Sequence, residues 1–443
     1  MLGVGVGFDT KGAGKIAAYA PSGEPELITV GDSREGWVEL ISCLIDSYLE
    51  EGSNPVEPDT HLVRNYGEPI KGFGGVASGP EPLVQGFYGI KDILENRAKS
   101  DNPLLTSTDI VDIMNIIGKI VVAGNVRRCL PEGTLIHTNQ GLIKIEDIIP
   151  GTLAKTSTGY SKISELVFQG EQEVISINTQ LGVFECTPKH RIAIMDNIGS
   201  YIWTQAQFLK SGDRIVFVDS ITKGINSCLP EWSYSKPEYS TTCKDIEIPS
   251  LDADSAWLLG LFHGDGYTYP NFDKNGYNAY VSIACDRLNY PSTVIKAKEQ
   301  LLRFGNNLNF CDVEEKESDK SYKIRIQSKQ LSGYLAKFKT AKQSIEVPNF
   351  ILQGSPSIRA GYLAGLFDAD GSSKTKPTIA VSTIYPEFAK QIQALYSSLG
   401  IATRIKVKER KEENWQTIYI VSVVGSFEIE KFEKLISIYS EKY

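Results

Sequence analysis

No stretch of this chain is apolar for long enough to cross a bilayer. Its first fifteen residues, MLGVGVGFDTKGAGK, lack the basic region and apolar block of a signal peptide, which predicts a soluble, cytoplasmic protein. The seven cysteines are odd in number, scattered and never spaced as C-x-x-C, which argues against a cysteine-ligated metal site and against a disulfide framework. Nucleotide fingerprints are wanting too. GAGK lacks the glycine spacing and the Ser or Thr of a phosphate loop, and GFGGVA follows no strand and leads into no clear helix.

What is present suits several globular domains: 443 residues, 41% hydrophobic and 23% charged. The net charge of −8 is unevenly spread. Residues 1–128 hold 11 basic and 18 acidic side chains, residues 129–240 hold 9 and 12, and residues 241–443 hold 26 and 24. Only the last part is net positive, as a domain that meets a polyanion would be.

Texture divides the chain at the same places. In the first 128 residues, REGWVELISCLIDSYLEEG sets Trp37, Leu40, Ile41, Leu44, Ile45 and Tyr48 on one helical face, with Gly52 as a stop. TSTDIVDIMNIIGKIVVAGNVRR predicts a second helix, capped by Thr106, Ser107 or Thr108. From Cys129 the pattern turns to short strands, GTLIHT, GLIKIEDI, EVISINT, VFECT, RIAIM and DRIVFV, separated by PG, TG, LG and SGD turns, which predicts an all-β domain. Residues 221–250 read as a polar, proline-bearing connector.

Beyond residue 251 the sequence repeats. LLGLFHGDG at 258–266 is echoed by LAGLFDADG at 363–371, and the segments Tyr290–Gly305 and Tyr385–Gly400 match in length and pattern. Each motif predicts a helix ending in Asp-Gly, at Asp265 and Asp370. Gly260, Ala364 and Gly365 would let two such helices pack closely and bring both carboxylates to one end. Hard oxygen ligands there suit Mg²⁺, which can assist phosphodiester hydrolysis. Cations alternate along YKIRIQSK (Lys323, Arg325, Lys329) and RIKVKER (Arg404, Lys406, Lys408, Arg410), predicting strands whose basic faces meet phosphates and base edges.

With these motifs, residues 241–443 resemble a two-motif LAGLIDADG homing endonuclease, an α+β fold with a pseudo-twofold repeat over about 251–345 and 356–443. The resemblance implies double-stranded DNA as partner, Mg²⁺ as cofactor, and Asp265 and Asp370 as metal-binding catalytic residues. His263 stands where the family has its first Asp, and is read either as a ligand or as a packing residue, with packing favoured. Intein-borne members often carry a lysine three residues before a proline that precedes the second motif; Ile345 occupies that place here, and Lys342 is the nearest lysine.

A homing endonuclease behind an all-β segment resembles an intein. CLPEGTLIHT is similar to its N-terminal block and TPKH at 187–190 to its T-x-x-H block, so residues 129–240 are expected to form the Hint splicing domain. The resemblance implies that the Cys129 thiol attacks the Arg128 carbonyl in an N-to-S acyl shift. His190 then polarises the scissile peptide and protonates the leaving nitrogen, while Thr187 hydrogen-bonds the same amide. A penultimate His, a terminal Asn and a following Cys, Ser or Thr do not occur in FEKLISIYSEKY, so the resemblance implies either a truncated gene product, in host and intein alike, or one part of a split system whose C-terminal half a partner chain supplies. Residues 1–128, through GVGVGFDTKGAG, DSREGWVEL, KGFGGVASGPEPL and VVAGNVRR, resemble a fragment of an α/β host, class II ribonucleotide reductase. Adenosylcobalamin is implied for the complete spliced host only. The competing reading is a reductase fragment with an inactive DNA-binding insertion.

Overall fold

The computed structural model describes residues 7–65, 68, 77–123, 129–196, 198–225, 228–234, 245–269, 279–314, 322–339, 345–372, 379–409 and 416–443. Arg128, Lys342 and Arg410 lie outside these residues.

The first unit joins β1 (Glu26–Thr29), α1 (Arg34–Leu49), β2 (Val56–Asp59), α2 (Glu81–Ala98) and α3 (Ser107–Ala123), with β1 and β2 paired in parallel. Ser33 starts α1 by accepting from Gly36 N, and the predicted face buries Leu40, Ile41, Leu44 and Tyr48. Of the three candidate caps for α3, Thr106 does the work: its Oγ1 accepts from Asp109 N at 3.2 Å, while the Asp109 carboxylate accepts from Thr106 N at 2.8 Å.

The second unit is all-β. β3 (Leu135–Thr138), β4 (Gly141–Lys144), β5 (Leu153–Thr156) and β6 (Gly159–Lys162) form one antiparallel sheet in the order β4-β3-β5-β6. β7 (Ile175–Asn178) pairs with β8 (Val183–Cys186). β9 (Arg191–Met195) runs between β10 (Tyr201–Gln205) and β11 (Arg214–Ile215). The connector after it is more closely held than a polar linker. Thr222 is fully buried, its N–H donating to Ser398 O at 2.7 Å, and Ile225 N donates to Gln353 O at 2.9 Å.

The third unit shows one element order twice. α4 (Ala253–Asp265), β12 (Gly266–Tyr269), β13 (Tyr280–Cys285), α5 (Pro291–Leu302), β14 (Val313–Glu314), β15 (Tyr322–Gln327) and α6 (Lys329–Ala336) come first. After the short α7 (Asn349–Leu352) follow α8 (Pro356–Asp370), β16 (Gly371–Ser372), β17 (Ile379–Thr383), α9 (Pro386–Ser398), β18 (Thr403–Lys408), β19 (Ile418–Val423) and α10 (Ser426–Leu435). Both sheets are antiparallel, in the orders β12-β13-β15-β14 and β16-β17-β19-β18. A capping box between Asp252 and Ser255 starts α4, and Pro356 opens α8 with a preset φ. Behind the two sheets, α4 and α8 form the centre of one continuous core.

Candidate functional site

Helices normally stand 8–10 Å apart because side chains separate them; α4 and α8 touch through their backbones. A Cβ at Gly365 would lie 1.9 Å from the Trp257 carbonyl oxygen, one at Gly260 2.1 Å from Tyr362 O, and one at Gly361 2.1 Å from Ala253 O. Gly260 and Gly365 were legible as close-packing positions; Gly361 was not.

The consequence appears where both helices end. The Asp370 carboxylate lies over Gly264, the neighbour of Asp265, so that a Cβ at Gly264 would be 3.1 Å from Asp370 Oδ2. Asp265 is half-buried, whereas Asp370 is exposed. Burial, reinforced by the Asp370 charge, pushes the Asp265 carboxyl up to about 6 against the opposing pull of Lys339 and Lys442. Burial also raises Asp370, with the same two lysines opposing it.

Those lysines were missed in the sequence. Lys339 Nζ donates to His263 O at 2.7 Å and Gly264 O at 2.8 Å, closing the C-terminal end of α4, where a cation is favoured. Lys442 Nζ donates to Ala369 O at 3.3 Å at the end of α8. Each follows the last helix of its half, a correspondence that aligning the two repeats to their ends would have revealed. Ile345, at the position where a lysine was sought, is a buried core residue. His263 is a packing residue. Its Nδ1 meets Tyr362 Oη at 2.6 Å, its ring lies edge-on to Tyr362 and Phe388, and burial depresses it to about 3, so it is neutral.

Among the described residues no three His, Cys, Asp or Glu side chains gather as a metal site. Two carboxylates alone still fit Mg²⁺, which is commonly held by one or two carboxylates and completes its octahedron with water and substrate phosphate. The exposed Asp370 leaves room for such ligands.

The outward sheet faces carry most of the expected cations. On β15, Lys323 and Arg325 alternate with buried Tyr322, Ile324 and Ile326. Arg325 lies over the Tyr280 ring at 4.5 Å, and Tyr280 stacks on Tyr269. Lys329 is not on this strand. Ser328 accepts from Leu331 N and caps α6, so Lys329 becomes its first residue, near Tyr234. On β18, Arg404, Lys406 and Lys408 are exposed, but Arg404 Nε donates to Gln180 O at 2.8 Å, in the turn between β7 and β8.

At the texture change, the Cys129 backbone N–H donates to Thr187 Oγ1 at 2.9 Å, and Thr187 N donates back to Cys129 O at 3.1 Å. Thr187 is buried between β8 and β9. His190, three residues on, donates its own N–H to Thr187 O at 2.9 Å, and its ring lies 6.2 Å from that of Phe184. Residues 58 apart in sequence are thus tied on both sides of Cys129, the N–H being that of the amide that joins it to residue 128.

Two regions match known families. Residues 357–437 match the LAGLIDADG-like domain, and residues 10–94 match the insertion domain of B12-dependent ribonucleotide reductase. A probable adenosylcobalamin-dependent ribonucleoside-triphosphate reductase of Dictyostelium discoideum is 45% identical over 145 residues, covering 29% of this chain and 19% of that relative. The corresponding reductase of Euglena gracilis is 42% identical over 130 residues, covering 29% and 17%. The chain therefore spans less than a fifth of the length of these relatives. Among solved structures, a mesophilic variant of the homing endonuclease I-DmoI is similar at 19% identity and a TM-score of 0.34, over 42% of this chain and 95% of that one. A B12-dependent class II ribonucleotide reductase is similar at 39% identity and a TM-score of 0.21, over 23% and 14%. The chain thus joins a segment related to adenosylcobalamin-dependent ribonucleotide reductases to a LAGLIDADG-like domain.

Proposed function

We propose that the chain is a reductase segment interrupted by an intein, with a Hint splicing domain at 129–240 and a homing endonuclease at 241–443 that makes a site-specific double-strand cut in DNA. The observation that carries the nuclease reading is the pair Asp265 and Asp370 at the touching ends of α4 and α8, each with a lysine at its helix end. The repeated element order supports a pseudo-dyad that matches the dyad of duplex DNA, and the outer faces of β15 and β18 would sit on its phosphates. Asp265 and Asp370 would hold Mg²⁺. When bound, the ion supplies Lewis-acid stabilisation of charge on phosphate oxygens. Lys339 and Lys442 bring positive charge to the same place, and the basic strands orient the duplex. Magnesium-dependent cutting of a duplex spanning the uninterrupted host gene, lost in Asp370→Asn, is the expected result; binding without cutting would favour the inactive DNA-binding insertion.

In the splicing half, the Cys129 sulfur attacks the carbonyl carbon of Arg128, the carbon–nitrogen bond to Cys129 breaks, and the freed nitrogen takes a proton, through His190. The product is a thioester isomer of the starting chain with a free amine on Cys129. Thr187 holds the Cys129 N–H during this exchange. Rejoining the flanks needs a C-terminal half-site, in a continuation of this chain or in a partner chain. Dithiothreitol should cleave the protein between Arg128 and Cys129, and Cys129→Ala should abolish the cleavage; an intact wild-type chain would overturn the reading.

The reductase activity, with adenosylcobalamin, would belong to the complete joined host. Cys43, the one cysteine of residues 1–128, does not fit a reactive thiol, because burial and the charges of Glu39 and Asp46 push its thiol up. No step through cobalamin is assigned to this segment.

A further inference from the structure

Asp368, two residues before Asp370, is buried, and its carboxylate is saturated with donors. Oδ2 accepts from Trp257 Nε1 at 2.8 Å across the helix pair and from Glu441 N at 2.8 Å. Oδ1 accepts from Lys442 N at 3.0 Å and from the Ser440 hydroxyl. Three of the four donors thus belong to residues 440–442, the segment that presents the Lys442 ammonium beside Asp370. Further grips hold the same segment. Lys296 Nζ donates to Tyr439 O at 2.7 Å, and the Tyr443 ring packs 5.4 Å from that of Phe432.

The other half is built differently. His263 stands 105 residues earlier in the matching place, and Tyr362 faces it as Trp257 faces Asp368. That pairing of helix end with opposite aromatic is shared, but where Asp368 takes three donors from residues 440–442, His263 meets the matching segment only at the backbone of Phe338, next to Lys339. Lys339 instead seats itself directly on the carbonyls of α4. Lys442 has one weaker carbonyl contact and depends on the backbone that Asp368 holds.

We propose that Asp368 is a positioning residue that clamps residues 440–442 and so sets Lys442 at the Asp265–Asp370 centre. The inference rests on the nuclease reading for its effect on cutting, while the clamp itself can be measured without DNA.

The test compares wild type, Asp368→Ala, Lys442→Ala and the double variant by amide hydrogen exchange and by single-turnover cutting of a duplex spanning the uninterrupted host gene with Mg²⁺. Asp368→Ala should speed exchange at Glu441 and Lys442 by about tenfold or more, as loss of a buried charge-assisted acceptor implies, and Lys442→Ala should not. Both single variants should slow cutting by a similar factor of about ten while affinity for the duplex stays within about twofold, and the double variant should be no slower than either. Unchanged exchange at 441–442, multiplying rate losses, or a parallel loss of affinity would each overturn the proposal. Asp368→Asn, of the same shape but with one oxygen replaced by a donor, should release the segment in the same direction if the alanine variant does not fold. A wild type that does not cut would sink the nuclease reading, and the exchange comparison would still decide the clamp.

Discussion

Asp265 holds a charge that its surroundings oppose. Its carboxyl titrates near 3.8 when unfolded and is pushed up to about 6 here, so between those values the folded state binds the extra proton. Stability from this group is therefore full below about 4 and is lost as pH rises through about 6, a penalty on the order of 2–3 kcal/mol at neutral pH. In EDTA at pH 7, Asp265→Asn should melt several degrees above wild type, and Mg²⁺ should narrow the gap by binding wild type alone. Calorimetry at pH 4 and pH 7 checks both, and equal melting points in EDTA at pH 7 would contradict it. Thr187 makes the second prediction at this scale. Thr187→Ala removes the acceptor 2.9 Å from the Cys129 N–H, so thiol-induced scission should slow by about tenfold to a hundredfold, while Thr187→Ser retains most of the rate. Quantifying released fragments by mass spectrometry measures the ratio. The pairing of Asp265 with Asp370 and of Cys129 with Thr187 was legible in the sequence because each residue sits in a short motif. Lys339 and Lys442 were not, because their role is set by where a chain segment lands after a helix, and no local spacing encodes that.

Helix pairing offers an internal control. Gly365→Ala would force a methyl to 1.9 Å from the Trp257 carbonyl oxygen, which only a backbone shift can relieve. Such overpacking should cost about 3 kcal/mol or more and separate the carboxylates, so cutting is lost along with stability. Gly118→Ala, on the exposed face of α3 where nothing lies within 4 Å, should instead stabilise by about 0.5–1 kcal/mol. Urea denaturation gives both signs, and destabilisation by both substitutions would refute the contrast. Legibility at this scale followed a clear apolar period more than burial, for α2 went unread although Leu83, Phe87, Ile90 and Leu94 are buried. The helices α1, α3, α5 and α9 and the strands β3, β4, β7, β8 and β9 all show apolar periodicity. β5 and β6, LAKT and GYSK, are short and largely uncovered, so little alternation marks them. β10 is apolar but exposed, with Trp203 at 59% and Tyr201 at 54%, so its pattern carries no inward face. At Lys329 the alternating cations suggested strand, and the capping Ser328 overruled them.

The molecule as a whole is joined across a seam that its sequence presents as a linker. The core around α4 and α8 takes in Leu142 of β4 and Leu229 of the connector, and Lys144 pairs with Glu346 across the same boundary. At the centre of the seam stands Arg359 of α8, fully buried, with NH2 donating to Thr222 O and, at 3.4 Å, to Lys223 O, while Nε and NH1 have no hydrogen-bond partner among the described residues. Around it lie Lys155 and His137, the latter held near 4 by burial and by the charges of Lys155 and Arg359. Burial likewise lowers the Arg359 guanidinium, to about 10. A buried cation with two orphaned nitrogens weakens the fold globally, while its bonds to Thr222 and Lys223 fix the connector locally. Those two effects can be separated. Arg359→Met fills similar volume without the desolvated charge, so it should leave the melting temperature unchanged or raise it, whereas Arg359→Ala should lower it by leaving a cavity. In both variants the amides of residues 222–225 should exchange faster, because Thr222 O has lost its donor and the connector opens without global unfolding. If Arg359→Met melts as low as Arg359→Ala, the bonds to Thr222 and Lys223 outweigh the buried charge, and Arg359 is a strut of the fold itself.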